Sequence, residues 1–358
     1  MTLSSLGWDD RFARSFPPFA AAGLVPARVA LEHKHAYVLL SPAGEFTASC
    51  TGRLLHASLQ RADLPAVGDW IAMRPRPGEA HADIHAVLPR RTKFSRTAPG
   101  DAGGEQIVAA NIDTVLLVTA LDQNYNLRRI ERCLTMAWES GAQPVVVLNK
   151  TDLHPDPEAV RSDVAAIASG APVVALSAER GDGLANLEPW LTPGRTLALL
   201  GSSGVGKSTL INRLLGHDRQ RTNVISDAVG KGRHTTTHRE LILAPSGVLV
   251  IDTPGMRELQ LWAPDADAFD ATFADIAPLA AHCRFRDCSH QGEPGCAVAV
   301  ALDSGALDPA RWASFQKLQR EQAYAARKAD SRLARQNKAD WKRLNRNQRQ
   351  RQRFEAPD

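Results

Sequence analysis

Gly201-Ser202-Ser203-Gly204-Val205-Gly206-Lys207-Ser208 is the stretch on which the fold turns. It matches G-x-x-x-x-G-K-[ST], follows the apolar run Thr196–Leu200 and opens a run with helical spacing, Lys207–Leu215. A strand, a glycine-rich bend and a helix start in that order make a phosphate cradle. The glycines let successive N–H groups converge on phosphate oxygens, and the helix start adds its positive end. Lys207 supplies a point charge for the β- and γ-phosphates, the Ser208 hydroxyl is placed to ligate Mg²⁺, and Thr209 follows in the same helical turn.

Outward from this loop the chain alternates buried strands with helices. Asp113–Thr119, Pro144–Leu148, Val173–Leu176 and Val248–Ile251 read as strands, and Leu127–Ser140 as a helix closed by Gly141. Each strand runs into a polar or glycine-rich loop, the pattern of a doubly wound α/β sheet with ligands at the carboxyl ends of its strands.

Two of those loops specify the nucleotide. Asn149-Lys150-Thr151-Asp152 closes one strand, where the two oxygens of Asp152 match the N1 and N2 donors of guanine. Adenine would leave that carboxylate unpaired and repelled. Ser177-Ala178, after another strand, is positioned to offer a backbone N–H to the guanine O6. Asp252-Thr-Pro-Gly255 closes the strand Val248–Ile251, placing Asp252 to hold Mg²⁺ through water and Gly255 to sense the γ-phosphate. Between the phosphate loop and this element lies Gly230-Lys-Gly-Arg-His-Thr-Thr-Thr237, from which Thr235 or Thr236 is expected to complete the metal shell. Met256 stands where many GTPases carry a water-orienting glutamine, so His234 and His238 become the candidates for that task.

Short strands at Arg28–Glu32, Tyr37–Leu40, Glu45–Thr51, Asp69–Met73 and Asp83–Leu88 predict a small β-barrel, with an OB-type barrel as one solution. Pro99, Gly100, Gly103 and Gly104 read as a hinge between this region and the α/β sheet. Beyond about Pro264, Cys283, Cys288, His290 and Cys296 offer three thiolates and one imidazole within 14 residues, a closed tetrahedral shell for structural Zn²⁺. Arg284 and Arg286 beside it could present charge to RNA.

The net charge of +4 hides an asymmetry: Lys317–Arg353 carries 13 Lys or Arg against 3 Asp or Glu, leaving the rest mildly acidic. Such a tail, with Tyr324 and Trp341 interspersed, points to a polyanionic partner. Asp9, Asp10, Arg11 and Arg14 interrupt any secretory leader, and no stretch is apolar enough to span a bilayer. With five cysteines and no disulfide framework, a soluble cytoplasmic protein is expected.

In ordinary GTPases the phosphate loop precedes the guanine motif; here Asn149–Asp152 comes first. In this order the chain resembles the circularly permuted GTPases. With its N-terminal barrel and C-terminal Cys/His cluster it is similar to the ribosome small-subunit-dependent GTPase A family of assembly factors. The resemblance implies an extension over 1–27, an OB-type barrel over 28–92, a circularly permuted P-loop GTPase domain over 93–262, and a mainly helical zinc-binding domain with a basic tail over 263–358. It also implies GTP hydrolysis to GDP stimulated by the small ribosomal subunit, contact with its rRNA, and a role in late subunit maturation. The hydrophobic residue in place of glutamine and the histidine after a glycine-arginine pair match Met256 and His234. A monomer without membrane contact is expected. Two rivals remain at this level: a nucleotide-gated RNA-binding protein that barely turns over, and a kinase, which would have no use for a guanine reader at Asp152.

Overall fold

The computed structural model describes residues 1–33, 36–97, 105–123, 125–168, 170–216, 239–252, 266–324 and 326–327. After a helical start, α1 (Asp10–Ser15) and α2 (Pro17–Ala21), come strands β1 (Val25–Glu32), β2 (Tyr37–Ser41) and β3 (Gly44–Cys50). Next are α3 (Gly52–Ala57), β4 (Trp70–Pro75), β5 (His81–Val87), β6 (Lys93–Thr97) and β7 (Glu105–Ala110). The central section runs β8 (Thr114–Ala120), α4 (Leu127–Glu139), β9 (Gln143–Asn149), α5 (Pro157–Ile167), β10 (Val173–Ala175), β11 (Thr196–Leu200), α6 (Lys207–Leu215), β12 (Glu240–Leu243) and β13 (Leu249–Asp252). The chain then turns helical in α7 (Ala266–Thr272), α8 (Ala277–Ala281), α9 (Ala297–Asp303) and α10 (309–324).

β1 to β5 close on themselves in the order β1-β2-β3-β5-β4, with β4 returning to β1. This is the expected five-stranded barrel, filled by residues such as Val29, Leu39, Ile71, Met73 and Ile84. The strands β10, β9, β8, β11 and β13 are parallel neighbours in that order. All seven residues of β8 are buried, as a strand covered on both faces requires, and its β-branched and leucine side chains suit that environment. Chain order runs outward from β8 in one direction and from β11 in the other, so the topological switch point lies between them, where ligands of such sheets bind.

The glycine-rich stretch expected to act as a hinge, Pro99 to Gly104, lies outside the described residues; β6 and β7 on either side of it pair antiparallel. One feature departs from the sequence reading. Strand β12 has no counterpart among the expected strands; it pairs antiparallel with β13 and, through Leu31 opposite Glu240, with β1, so barrel and α/β strands share one eleven-stranded sheet.

The seam between these two parts is held by Arg28, which is 1% exposed. Its guanidinium donates to the carbonyls of Leu6, Gly68 and Asn111 and to the Thr196 hydroxyl at 2.8 Å. Burial lowers its pKa to about 10, against the favourable charge of Asp113. Around it, Trp8 packs edge-on against Trp70 at 4.7 Å and also touches Phe12 and Phe16, which ties the N-terminal helices onto the barrel. The C-terminal helices have their own core of Phe269, Phe273, Ile276, Trp312, Phe315 and Leu318. Among the described residues no helix is long and apolar enough to cross a membrane.

Candidate functional site

Strand β11 delivers Leu200 directly into the loop Gly201–Gly206, and α6 begins at Lys207 as the spacing predicts. Three glycines of the loop have positive φ: 153° at Gly201, 79° at Gly204 and 94° at Gly206. At two of them close approach also forbids a side chain. A Cβ on Gly201 would strike the Val118 carbonyl of β8, and one on Gly206 would strike the amide nitrogen of Asn149.

That second approach joins two motifs separated by half a hundred residues of chain. Asn149, 2% exposed at the end of β9, donates from Nδ2 to the Val205 carbonyl at 2.8 Å. Its Oδ1 accepts from the Ala178 N–H at 2.9 Å. One carboxamide thus fixes the phosphate loop, the end of β9 and the loop after β10 relative to one another. Asn is suited to this because a single planar group offers both a donor and an acceptor.

Lys150 adopts a left-handed conformation, φ 63°, and its Nζ pairs with Asp122 at 2.9 Å. Thr151 to Leu153 form a single 3₁₀ turn that brings Asp152 beside Ser177. The Ser177 hydroxyl holds the Asp152 carboxyl below its ordinary range, with Arg180 Nε at 3.8 Å adding to that effect. Oδ1 of Asp152 is buried with no hydrogen-bond partner among the described residues, the condition of an acceptor suited to a ligand's N–H groups. On the far side Arg213 of α6 donates to the Ala178 carbonyl at 3.0 Å and to that of Glu179 at 2.5 Å, clamping the same loop.

In the phosphate loop, Lys207 Nζ donates to the carbonyls of Gly201 at 2.8 Å and Ser202 at 2.6 Å. Ser203, Gly204 and Ser208 are exposed, Val205 is buried beneath them and Thr209 is half-buried. Asp252 ends β13, whose Ile251 lies opposite Ala198 of β11, so its carboxylate stands at the same edge of the sheet as the loop. A hydroxyl and a carboxylate at that edge are hard oxygen donors of the kind Mg²⁺ takes. His234, Thr235, Thr236, Gly255 and Met256 lie outside the described residues.

Sequence reasoning missed Asp122, Arg213 and Arg180. None belongs to a motif; each is placed by the sheet, Asp122 by following β8 next to β9 and Arg213 by the second turn of α6.

The C-terminal cluster assembles as the spacing requires. The ligand atoms of Cys283, Cys288, His290 and Cys296 all lie within 4.8 Å of one another. His290 Nδ1 is 3.5 Å from both Cys283 Sγ and Cys296 Sγ, and the two sulfurs are 4.0 Å apart. Three sulfurs and one nitrogen at these separations surround a point that a metal ion can occupy with four ligands. Glu293 shapes the turn between them by accepting from the Ser289 hydroxyl and the N–H groups of Ser289 and Gln291, which lowers its pKa to about 2. The His290 ring meets Trp312 edge-on at 5.5 Å, linking the cluster to the core beneath it.

The comparisons agree with this geometry. The family described as RsgA GTPase matches residues 87–262. Small ribosomal subunit biogenesis GTPase RsgA from Opitutus terrae is 64% identical, the alignment covering 99% of both chains. The protein of that name from Syntrophotalea carbinolica is 48% identical over 91% of each. Among solved structures, YjeQ from Thermotoga maritima superposes with a TM-score of 0.61 at 26% identity, covering 84% of this chain and 99% of that one. YloQ, described as a circularly permuted GTPase, gives 0.58 at 24% identity over 84% and 95%, a likeness of fold. A phosphate loop that follows its guanine motif in the chain yet meets it through Asn149, on a barrel-bearing chain so close to these relatives, places this protein in the RsgA GTPase family of circularly permuted GTP hydrolases.

Proposed function

We propose that this chain is a Mg²⁺-dependent GTP phosphohydrolase that binds the small ribosomal subunit and assists its late maturation, working as a cytoplasmic monomer. The observation that carries the nucleotide reading is the Asn149 carboxamide, which ties the phosphate loop to the Ala178 loop so that one ligand is gripped at both ends. The names borne by the relatives support the ribosomal reading.

In this reading Asp152 accepts from guanine N1 and N2 and the Lys150 stem lies along the base, held by Asp122. The N–H groups of Ser177 and Ala178, expected to serve guanine O6, are instead bonded to the Asp182 carbonyl and to Asn149 Oδ1. The loop N–H groups from Ser202 to Thr209 take the phosphates, and Lys207 exchanges the Gly201 and Ser202 carbonyls for β- and γ-phosphate oxygens. Ser208, Asp252 and one of Thr235 and Thr236 would hold Mg²⁺, which offsets charge developing on the transferred phosphoryl group. Gly255 senses the γ-phosphate. Met256 cannot orient a water, so His234 takes that role and hydrolysis without the subunit is slow. Cys283, Cys288, His290 and Cys296 would hold Zn²⁺ as a closed structural site, since four protein ligands leave no position for substrate. The basic tail and the barrel supply the rRNA contacts.

Single-turnover GTP hydrolysis, measured with and without purified small subunits and with excess ATP as competitor, tests this. Acceleration of about 100-fold or more by the subunit, the range expected of a completed catalytic site, with no effect of ATP, is the expected result. Equal rates with and without subunits would leave a nucleotide-gated binder, and competition by ATP would remove the guanine reading.

A further inference from the structure

Helix α4 touches the nucleotide loop at one end and the C-terminal helices along its length. In its first turn Arg129 Nη1 donates to the Ser202 hydroxyl at 3.2 Å. Two residues on, Glu131 is fully buried and accepts from Arg311 Nη1 at 2.8 Å and from the Ser314 hydroxyl at 2.5 Å, both on α10. Arg128 bridges Glu131 to Asp308, at 2.6 Å from the latter, and Arg132 pairs with Glu321 at 3.0 Å. The Thr135 hydroxyl meets that of Thr272 on α7 at 3.1 Å, and Glu139 accepts from Gln322 at 3.2 Å. Arg311 extends the network to Asp275 at 2.7 Å and to the Thr272 carbonyl.

A helix seated this way moves as a unit with the C-terminal helices, because its buried charges cannot slide without leaving their partners. At its other end it meets the part of the phosphate loop that must rearrange. Lys207 Nζ now sits on the Gly201 and Ser202 carbonyls, and binding a triphosphate requires it to leave them for phosphate oxygens. Arg129 grips Ser202 through its side chain, on the residue whose carbonyl is released. Cys133, one turn further along α4, lies near cations of both elements: burial pushes its thiol up to about 11 against the opposing charges of Arg129, Arg132 and Lys207.

We propose that α4 transmits the state of the phosphate loop to α7 and α10, the helices packed against the Cys/His cluster, with Arg129 as the positioning residue at the loop end. This rests on the nucleotide reading above and gives it a mechanical output. The path runs through side-chain contacts of a helix that precedes the phosphate loop in the chain.

Hydrogen exchange of the full-length protein, with Mg²⁺ and either GDP or a non-hydrolysable GTP analogue, tests it. In the wild type, amides of α4 and α10 should exchange at different rates in the two states. Arg129→Ala should bind a fluorescent GTP analogue within about tenfold of wild type, the scale of one exposed hydrogen bond, yet lose the difference at α10. Arg129→Lys, which keeps the charge, should restore part of it. The proposal is overturned if α10 exchanges identically with both nucleotides in the wild type, or if its response survives in Arg129→Ala. Loss of nucleotide binding in Arg129→Ala would make Arg129 a binding residue and also overturn it. Failure of the wild type to bind either nucleotide would sink the nucleotide reading as well, and the binding assay shows that separately.

Discussion

Asp152 holds one of its oxygens buried beside Ser177 and unpartnered among the described residues, and the guanine-reading role proposed for it rests on what that oxygen can accept. Changing Asp152→Asn replaces an acceptor with a donor, so the guanine 2-amine loses its partner and faces an N–H. GTP affinity should fall about 10- to 100-fold, the range for leaving one buried polar group unpaired. Xanthosine triphosphate, which carries a carbonyl at that position, should gain affinity. Competition of the two nucleotides on the variant checks this, and retained preference for GTP would remove Asp152 from the base site. Because the Asp152 carboxyl is held below its ordinary value of 3.8, it stays ionised as pH falls, and its contribution to binding is lost only below that value. The ratio of wild-type to Asp152→Asn affinity for GTP, in which the titration of the nucleotide's own phosphate cancels, should therefore be flat between neutral pH and about pH 5, where an unperturbed carboxylate is already ionised.

At the scale of single elements, the seam depends on a strand residue whose role no periodicity announces. Arg28 lies in β1 flanked on both sides by apolar residues, and in the fold it satisfies three carbonyls and a hydroxyl from four parts of the chain. Arg28→Met keeps much of the volume but strands those acceptors, and should cost about 3–5 kcal/mol, the scale of breaking a buried charged network. A lowered urea midpoint with cooperative unfolding is the expected signature, and an unchanged midpoint would show that the seam is held by the aromatic packing of Trp8 and Trp70. The strands and helices around the nucleotide were legible because period and punctuation agree there: Thr196–Leu200 and Lys207–Leu215 begin and end where the residues say. The four-ligand cluster was legible for a similar reason, since its spacing is local. What stayed hidden is non-local. Strand β12 has four residues and acquires its identity only from pairing with β13 and β1. Asp122, Arg129 and Arg213 act through partners 28 to 73 positions away, as Lys150 and Ser202 show, and sequence spacing carries no sign of such pairs.

On the scale of the whole molecule, the C-terminal unit is held from two sides, by its Cys/His cluster and by α4. Removing the metal with a chelator should loosen α8, α9 and the turn around Glu293, because the four ligands then lack a common centre. Nucleotide binding should persist, since the residues assigned to the nucleotide site precede the cluster in the chain, while coupling through α4 should shift the ratio of GTP to GDP affinity. Near-ultraviolet circular dichroism of the C-terminal aromatics, followed alongside GTP binding, separates the two effects. Parallel loss of both would mean that the cluster supports the nucleotide site as well. The basic tail has to be tested from a boundary the fold respects. Leu318 belongs to the C-terminal core, and Glu321 and Gln322 bind α4, so cutting at Lys317 would remove packing together with charge. A cut after Arg327 leaves that packing in place and removes 10 Lys or Arg with 2 Asp or Glu through Arg353. If those cations sit on rRNA phosphates, every phosphate left without its cation lowers the slope of log affinity against log salt by roughly 0.7–0.9. The truncated chain should therefore bind small subunits more weakly at low salt, with a visibly flatter salt dependence and unaltered GTP affinity. An unchanged slope would assign the tail to solubility and leave the barrel and the arginines at 284 and 286 to meet the RNA.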